Sequence, residues 1–146
     1  MIKKLDHASI SISDMNRSLA FYRDMLGMKV EFEEETSGEK FGSVMGATGE
    51  FRALVVKFEE GLELIQFISP AGVKLNSKPW DIGAILLDFE VSELDDLYKE
   101  LKEKGVKFIS PLTLLKSPNS DDDSLKIVQL YGPDGERIVL VESKKM

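Results

Sequence analysis

The chain reads as an α+β protein of two paired β-α-β-β-β modules whose strands form a curved sheet around a cleft. Three observations carry this reading. A strand-to-helix unit at 5–27 recurs at 84–105; each copy is followed by further strand-like segments; and a stretch with two prolines and two serines separates them. The expected modules are 1–70 and 80–146, joined by a linker at 71–79.

The first copy, LDHASISISDMNRSLAFYRDMLG, opens with polar and apolar residues in alternation from Leu5 to Ser13. On a strand, His7, Ser9 and Ser11 then share one face, and Ala8, Ile10 and Ile12 the other. Ser13 stands at the N-cap position with Asp14 in the first turn, followed by Met15, Leu19, Tyr22 and Leu26 at helical spacing and Gly27 as the stop. Met28 to Glu35 alternates again and predicts a strand, its run Glu33-Glu34-Glu35 in water. Residues 36–50 are rich in Gly, Ser and Thr and predict a connection with one helical turn near Phe41 to Met45. Arg52–Phe58 and Leu62–Ile68 are apolar strands joined across Glu59-Glu60-Gly61 as a hairpin.

The second copy opens with a strand at Ala84–Ser92, continues as a helix from Glu93 to Lys104 with Leu94, Leu97, Tyr98 and Leu101 on one face, and stops at Gly105. Laid on the first without a gap (86 − 7 = 79), it places Leu86 on His7, Asp88 on Ser9, Glu90 on Ser11 and Leu94 on Met15; the closing glycines agree after one deletion. Val106–Ile109, Leu125–Tyr131 and Arg137–Glu142 are the expected remaining strands, with a turn at Gly132-Pro133-Asp134-Gly135. Ile138-Val139-Leu140-Val141 then lies on Leu62-Glu63-Leu64-Ile65. Ser117 to Ser124, SPNSDDDS, lacks the glycine and glutamate of a calcium loop and predicts a solvated one.

Composition narrows the function classes. With 26 acidic against 19 basic residues the chain carries a formal charge of -7, which disfavours nucleic acid and anionic membranes as partners. No cysteine is present, so disulfides, thiolate metal sites and cysteine nucleophiles are excluded. The start, MIKKLDH, has no long apolar run behind its lysines, and the expected location is cytoplasmic.

In its segments LDHASISISDMNRSLAFYRDMLGMKV, LELIQFISPAG, IGAILLDFEVSELDDLYKELKEKGVKF and YGPDGERIVLVE the chain resembles the vicinal oxygen chelate superfamily, which includes glyoxalase I, extradiol dioxygenases, and fosfomycin and bleomycin resistance proteins. The resemblance implies paired modules around a cleft in which a divalent metal chelates two substrate oxygens, with ligands from the first and last strand of each module. Carried over position by position, it implies His7 and Glu63 as metal ligands in the first module, whereas Leu86 and Val139 stand at the two positions of the second. Two ligands make a weak site for nickel, zinc, manganese or iron, because catalytic sites ordinarily fix the ion with three.

One histidine cannot build the two-histidine sites of the dioxygenase and fosfomycin branches. His7 is therefore either a ligand or acid/base group or a hydrogen-bonded structural residue. Glu63, set among Leu62, Leu64, Ile65 and Phe67, needs a partner: a metal, Arg52, His7 or a ligand. Asp88 and Glu90 share a strand face and suit proton transfer next to a carbonyl, or simply face solvent. Together these give Glu63 and Asp88 as catalytic candidates, His7 and Glu63 as metal candidates, and Ser9, Ser11, Leu86, Glu90 and Val139 as cleft lining. The expected function is a glyoxalase-like lyase or isomerase acting on a small oxygen-bearing metabolite, with the chain paired as a homodimer. The alternatives are a metal-free protein that sequesters a small molecule in the manner of bleomycin resistance proteins, and a non-catalytic interaction protein.

Overall fold

A computed structural model describes residues 1–118 and 121–144. The chain divides into two compact units, Met1–Lys74 and Leu75–Met146.

The first unit holds β1 (Ala8–Ser11), α1 (Met15–Leu19), β2 (Val30–Gly38), α2 (Glu39–Val44), β3 (Phe51–Phe58) and β4 (Leu62–Ser69). Its sheet runs β1-β4-β3-β2, with β1 parallel to β4 and the other pairs antiparallel. Directly after α1 the helix widens into a π turn over Ala20–Met25, in which the Leu26 amide reaches back five residues to the Phe21 carbonyl. Gly27, at φ +76, then ends it. The N-cap is Asp14, not Ser13: the Asp14 carboxylate accepts the Arg17 amide, while Ser13 Oγ accepts from the Arg17 guanidinium.

Helix and sheet meet because every second strand residue is apolar. Tyr22, Phe58, Leu62 and Leu64 are fully buried, or nearly so, between them, with Met15, Leu19, Phe21 and Val56 alongside. The rings of Tyr22 and Phe58 lie 6.3 Å apart.

The second unit holds β5 (Leu87–Glu90), α3 (Leu94–Glu103), β6 (Thr113–Lys116), β7 (Asp123–Tyr131) and β8 (Arg137–Ser143), ordered β5-β8-β7-β6 with β5 parallel to β8. Leu94, Leu101, Val128, Leu130, Ile138 and Leu140 form its core.

Strand pairing reproduces the repeat read from sequence. Ser9 pairs with Glu63 in β1/β4, and their equivalents Asp88 and Val139 pair in β5/β8. Each last strand also caps the helix of its own unit: Gln66 Oε1 accepts the Met15 amide at 2.7 Å, and Glu142 accepts the Leu94 amide at 3.2 Å and the Glu93 amide at 2.5 Å.

Two expectations are corrected in the second unit. Val106–Ile109 is not a strand: only Phe108 forms a bridge, to Leu130, and the fourth strand is β6. Ladder formation stops because Ser110 Oγ takes the Gln129 amide while the Gln129 carbonyl accepts from both Ile109 and Ser110. In the acidic loop, Asn119 and Ser120 lie outside the described residues; Asp121 and Asp122 are exposed, and β7 already begins at Asp123.

Candidate functional site

The site candidates of the first unit gather on the sheet face opposite α1. Because Leu62, Leu64 and Gln66 turn toward the helix, Glu63, Ile65 and Phe67 turn away from it, and pairing sets Lys57, Val55 and Ala53 beside them on β3. Ser9 sits across from Glu63 on β1.

At one end of this face four side chains form a connected chain. Ser9 Oγ donates to Glu63 Oε1 at 2.9 Å, His7 Nε2 lies 3.5 Å from the same oxygen, and His7 Nδ1 donates to Asp6 Oδ2 at 2.6 Å. The Glu63 side chain is only 14% exposed and that of His7 28%, so both carry polar atoms at a partly dried surface. Asp6 keeps its carboxyl below the ordinary 3.8, chiefly through the hydrogen bond to His7 and then through the imidazole's charge.

With the imidazole neutral, this geometry leaves one mismatch. A neutral imidazole that donates from Nδ1 to Asp6 presents the Nε2 lone pair to Glu63 Oε1, so two acceptors face each other. A proton on Nε2, a donor from a ligand, or a cation between the two atoms resolves it. The 3.5 Å separation fits two ligands of one tetrahedral ion, whose donor atoms stand about 3.3–3.6 Å apart. No group of three or more His, Cys, Asp or Glu able to hold a metal occurs among the described residues, so His7 and Glu63 would hold such an ion as a pair.

Arg52 is not the partner of Glu63. It pairs with Glu35, whose carboxyl the guanidinium draws below its ordinary range. Lys57 pairs with Glu31 at 2.7 Å, is raised mainly by that hydrogen bond, and adds its field to Glu63.

At the other end of the face, three residues outside the expected site form an aromatic cluster. Phe41 of α2 stacks on Phe67 at 6.0 Å, and Phe51 meets both rings edge-on at 6.2 Å. From Glu63 to Phe67 along β4 is about 13 Å, so the face grades from a polar end to an aromatic one. Of the remaining candidates, Ser11 is exposed on the same face beside Ile65, at the end of β1, whereas Leu86, Asp88, Glu90 and Val139 belong to the second unit. There Leu86 is 41% exposed ahead of β5, Val139 is buried at 4% exposure in register with Asp88, and Asp88 and Glu90 are exposed.

Residues 4–140 match the family model of the glyoxalase/bleomycin resistance protein/dioxygenase superfamily. The chain belongs to that superfamily. It is 30% identical to the uncharacterised protein YwbC of Bacillus subtilis, across 94% of this chain and 96% of that one. Among solved structures it resembles a glyoxalase family protein from Bacillus cereus (19% identity, TM-score 0.79, covering 98% of this chain and 95% of that one). It also resembles the glyoxalase I of Leishmania major, described as trypanothione-dependent (18% identity, TM-score 0.65, covering 99% and 90%). A third likeness is to the fosfomycin resistance protein FosX of Listeria monocytogenes, solved with manganese and sulfate (16% identity, TM-score 0.57, covering 98% and 94%). At these identities the likeness is one of fold. No helix among the described residues is long and apolar enough to cross a membrane.

Proposed function

We propose that this superfamily member binds a small oxygen-bearing metabolite on the face of the first sheet opposite α1, with Glu63 and His7 engaging its oxygens and moving a proton in a glyoxalase-type reaction. The supporting observation is the convergence of Ser9 Oγ and His7 Nε2 on one Glu63 oxygen while Asp6 orients the ring from behind. A carboxylate accepting a hydroxyl proton beside a held imidazole is equipped to take a proton next to a substrate carbonyl and pass it on. A divalent ion, when held by His7 and Glu63, would polarise the substrate oxygen. Its affinity is expected to be weak and to fall in His7→Ala and in Glu63→Gln alike. Homodimer formation belongs to the same proposal and is read by light scattering, where a strict monomer removes it.

The test is deuterium exchange into small α-hydroxyketones in heavy water, followed by NMR with and without added nickel or manganese. Wild type should catalyse exchange, and Glu63→Gln should lose about a hundredfold or more. Equal exchange by both proteins removes proton transfer. A second reading, a metal-free sequestering protein, is favoured by the Phe41, Phe51 and Phe67 cluster on the same face. In that case an aromatic ligand binds, and Phe67→Ala weakens it more than His7→Ala does.

A further inference from the structure

Taking a proton from carbon leaves a negative charge on the neighbouring substrate oxygen, and the strand beside Glu63 carries a positive one. Lys57 of β3 pairs directly with Glu63 of β4, and the Cβ atoms of such partners stand about 4.5–5.5 Å apart. Among the described residues it is the one lysine or arginine that strand pairing places on the face opposite α1. Its side chain is 20% exposed, and its ammonium donates to Glu31 Oε2 at 2.7 Å. No other hydrogen bond or ion pair engages Lys57 among the described residues. An ammonium has three donors, so two of them remain unmet by the protein at a largely covered position.

A bulge in β2 brings Lys57 its partner. The register shifts between Val30 and Phe32, so that Glu31 and Phe32 both stand opposite Lys57. Glu31 is the extra residue, and it holds the ammonium from β2, on the far side of β3 from Glu63. The Lys57 ammonium titrates above the ordinary 10.5, chiefly because of that hydrogen bond, so it is charged at neutral pH. The second unit lacks the arrangement at both positions: Val139 stands in the place of Glu63, and it pairs with Gln129 as Glu63 pairs with Lys57. Carboxylate and cation are present together in one copy and absent together from the other.

Resting on the proton-transfer reading of Glu63, we propose that Lys57 is the catalytic electrophile of that step and supplies the positive charge it needs when no divalent ion is bound. Glu63 takes the proton from the carbon beside the carbonyl: the C–H bond breaks, an O–H bond forms on Glu63, and the electron pair moves onto the carbonyl oxygen, where the free N–H groups of Lys57 hold it as an enediolate. Return of a proton from Glu63 to the same carbon restores the ketone, and exchange with heavy water in between replaces it by deuterium. The charge passes from one neighbour of Lys57 to another, so the net charge of the site is unchanged and Asp6 and Glu31 oppose the step no more than they oppose the resting state. Lys57 makes no hydrogen bond to Glu63, so its free donors act as the charge appears on the oxygen.

The test is deuterium exchange into hydroxyacetone in heavy water by the full-length protein after treatment with a chelator, followed by NMR. Wild type should exchange without added metal. Lys57→Met keeps the length of the side chain and loses its charge, and should lose about a hundredfold, in kcat rather than KM. Lys57→Arg restores the charge and should return to within about tenfold of wild type. Two results would overturn the proposal: Lys57→Met exchanging at the wild-type rate, or wild-type exchange that vanishes on chelation and returns with nickel equally in wild type and Lys57→Met. In either case loss of exchange in Glu63→Gln keeps Glu63 as the base. Should Lys57→Met not fold by circular dichroism, Lys57→Gln is read in the same way. No exchange by wild type with or without nickel removes the Glu63 reading itself, and the role of Lys57 with it.

Discussion

Replacing Glu142 by alanine tests the strand-to-helix cap that both repeats share. The Glu142 carboxylate takes the amides of Glu93 and Leu94 at 2.5 and 3.2 Å, and the side chain of Glu93, the residue at the N-cap of α3, makes no capping bond of its own. Glu93 is exposed, so its freed amide turns to water at little cost, but Leu94 is fully buried and its amide partly so. Leaving that donor unmet costs about 1–3 kcal/mol, and losing a carboxylate at a helix N-terminus adds about 0.3–1 kcal/mol. The expected loss is thus about 2–3 kcal/mol, or a melting temperature lower by roughly 4–12 °C for a chain of this size. Gln66→Ala removes a neutral acceptor from a helix that still has Asp14 as its cap, and should cost about 1 kcal/mol. Urea unfolding followed by circular dichroism measures both. A Glu142→Ala protein within about 0.5 kcal/mol of wild type, the level of an ordinary surface change, or a Gln66→Ala protein that is the less stable of the two, would refute the reasoning.

Further outcomes follow from single contacts. Ser18 is fully buried in α1 with an Oγ that finds no partner among the described residues, so Ser18→Ala should leave stability unchanged or raise it by about 1 kcal/mol in the same urea assay. A Cβ on Gly42 would stand 2.3 Å from the Gly49 carbonyl oxygen, a backbone atom that cannot swing aside; Gly42→Ala should therefore cost about 1–3 kcal/mol, read as a lower melting temperature. Asp6 titrates below 3.8 in the folded chain because His7 favours its anion. This pairing supports the fold above the carboxyl's unfolded value and is lost as pH falls through the folded one. In His7→Ala, carbon-13 NMR should find the Asp6 midpoint moved up toward 3.8; an unmoved midpoint would separate the two residues.

The repeat was legible because it rests on alternation and spacing, which survive in sequence when pairing partners do not. That Ser9 and Glu63 pair as Asp88 and Val139 do is the structural form of the same alignment. Strand β6 escaped because Thr113–Lys116 lies between Pro111 and Pro118 with two leucines in succession, a pattern of breakers around an unalternating core. Its status as a strand depends on β7 beside it. The N-cap was misplaced by one residue because Ser13 and Asp14 are equally good caps in isolation, and the choice is made by where β1 ends.

At the site, His7 and Glu63 were legible as a pair, but Asp6 was not. Neighbours on a strand point to opposite faces, and that rule hides Asp6 from His7; residues 6 and 7 precede β1, where the rule does not apply. The aromatic cluster was hidden differently. Phe41 lies in a segment whose glycines and serines signal a loop, and only tertiary folding brings it to Phe51 and Phe67.

The π turn at Ala20–Met25 gives the single-residue difference between the repeats a physical form. A residue added to an α-helix turns everything beyond it by roughly 100°, which would carry the terminal glycine and the strand that follows away from the sheet. Confined to one wide turn, the surplus residue is absorbed where it arises. Gly27 still ends the first helix as Gly105 ends the second, both at positive φ, and the pairing registers downstream are unaltered. Length can therefore drift in one copy without being answered in the other. Deleting one residue from Ala20–Met25 should return that helix to plain α geometry with its ends in place, making the bulge a mark of insertion that the scaffold has kept.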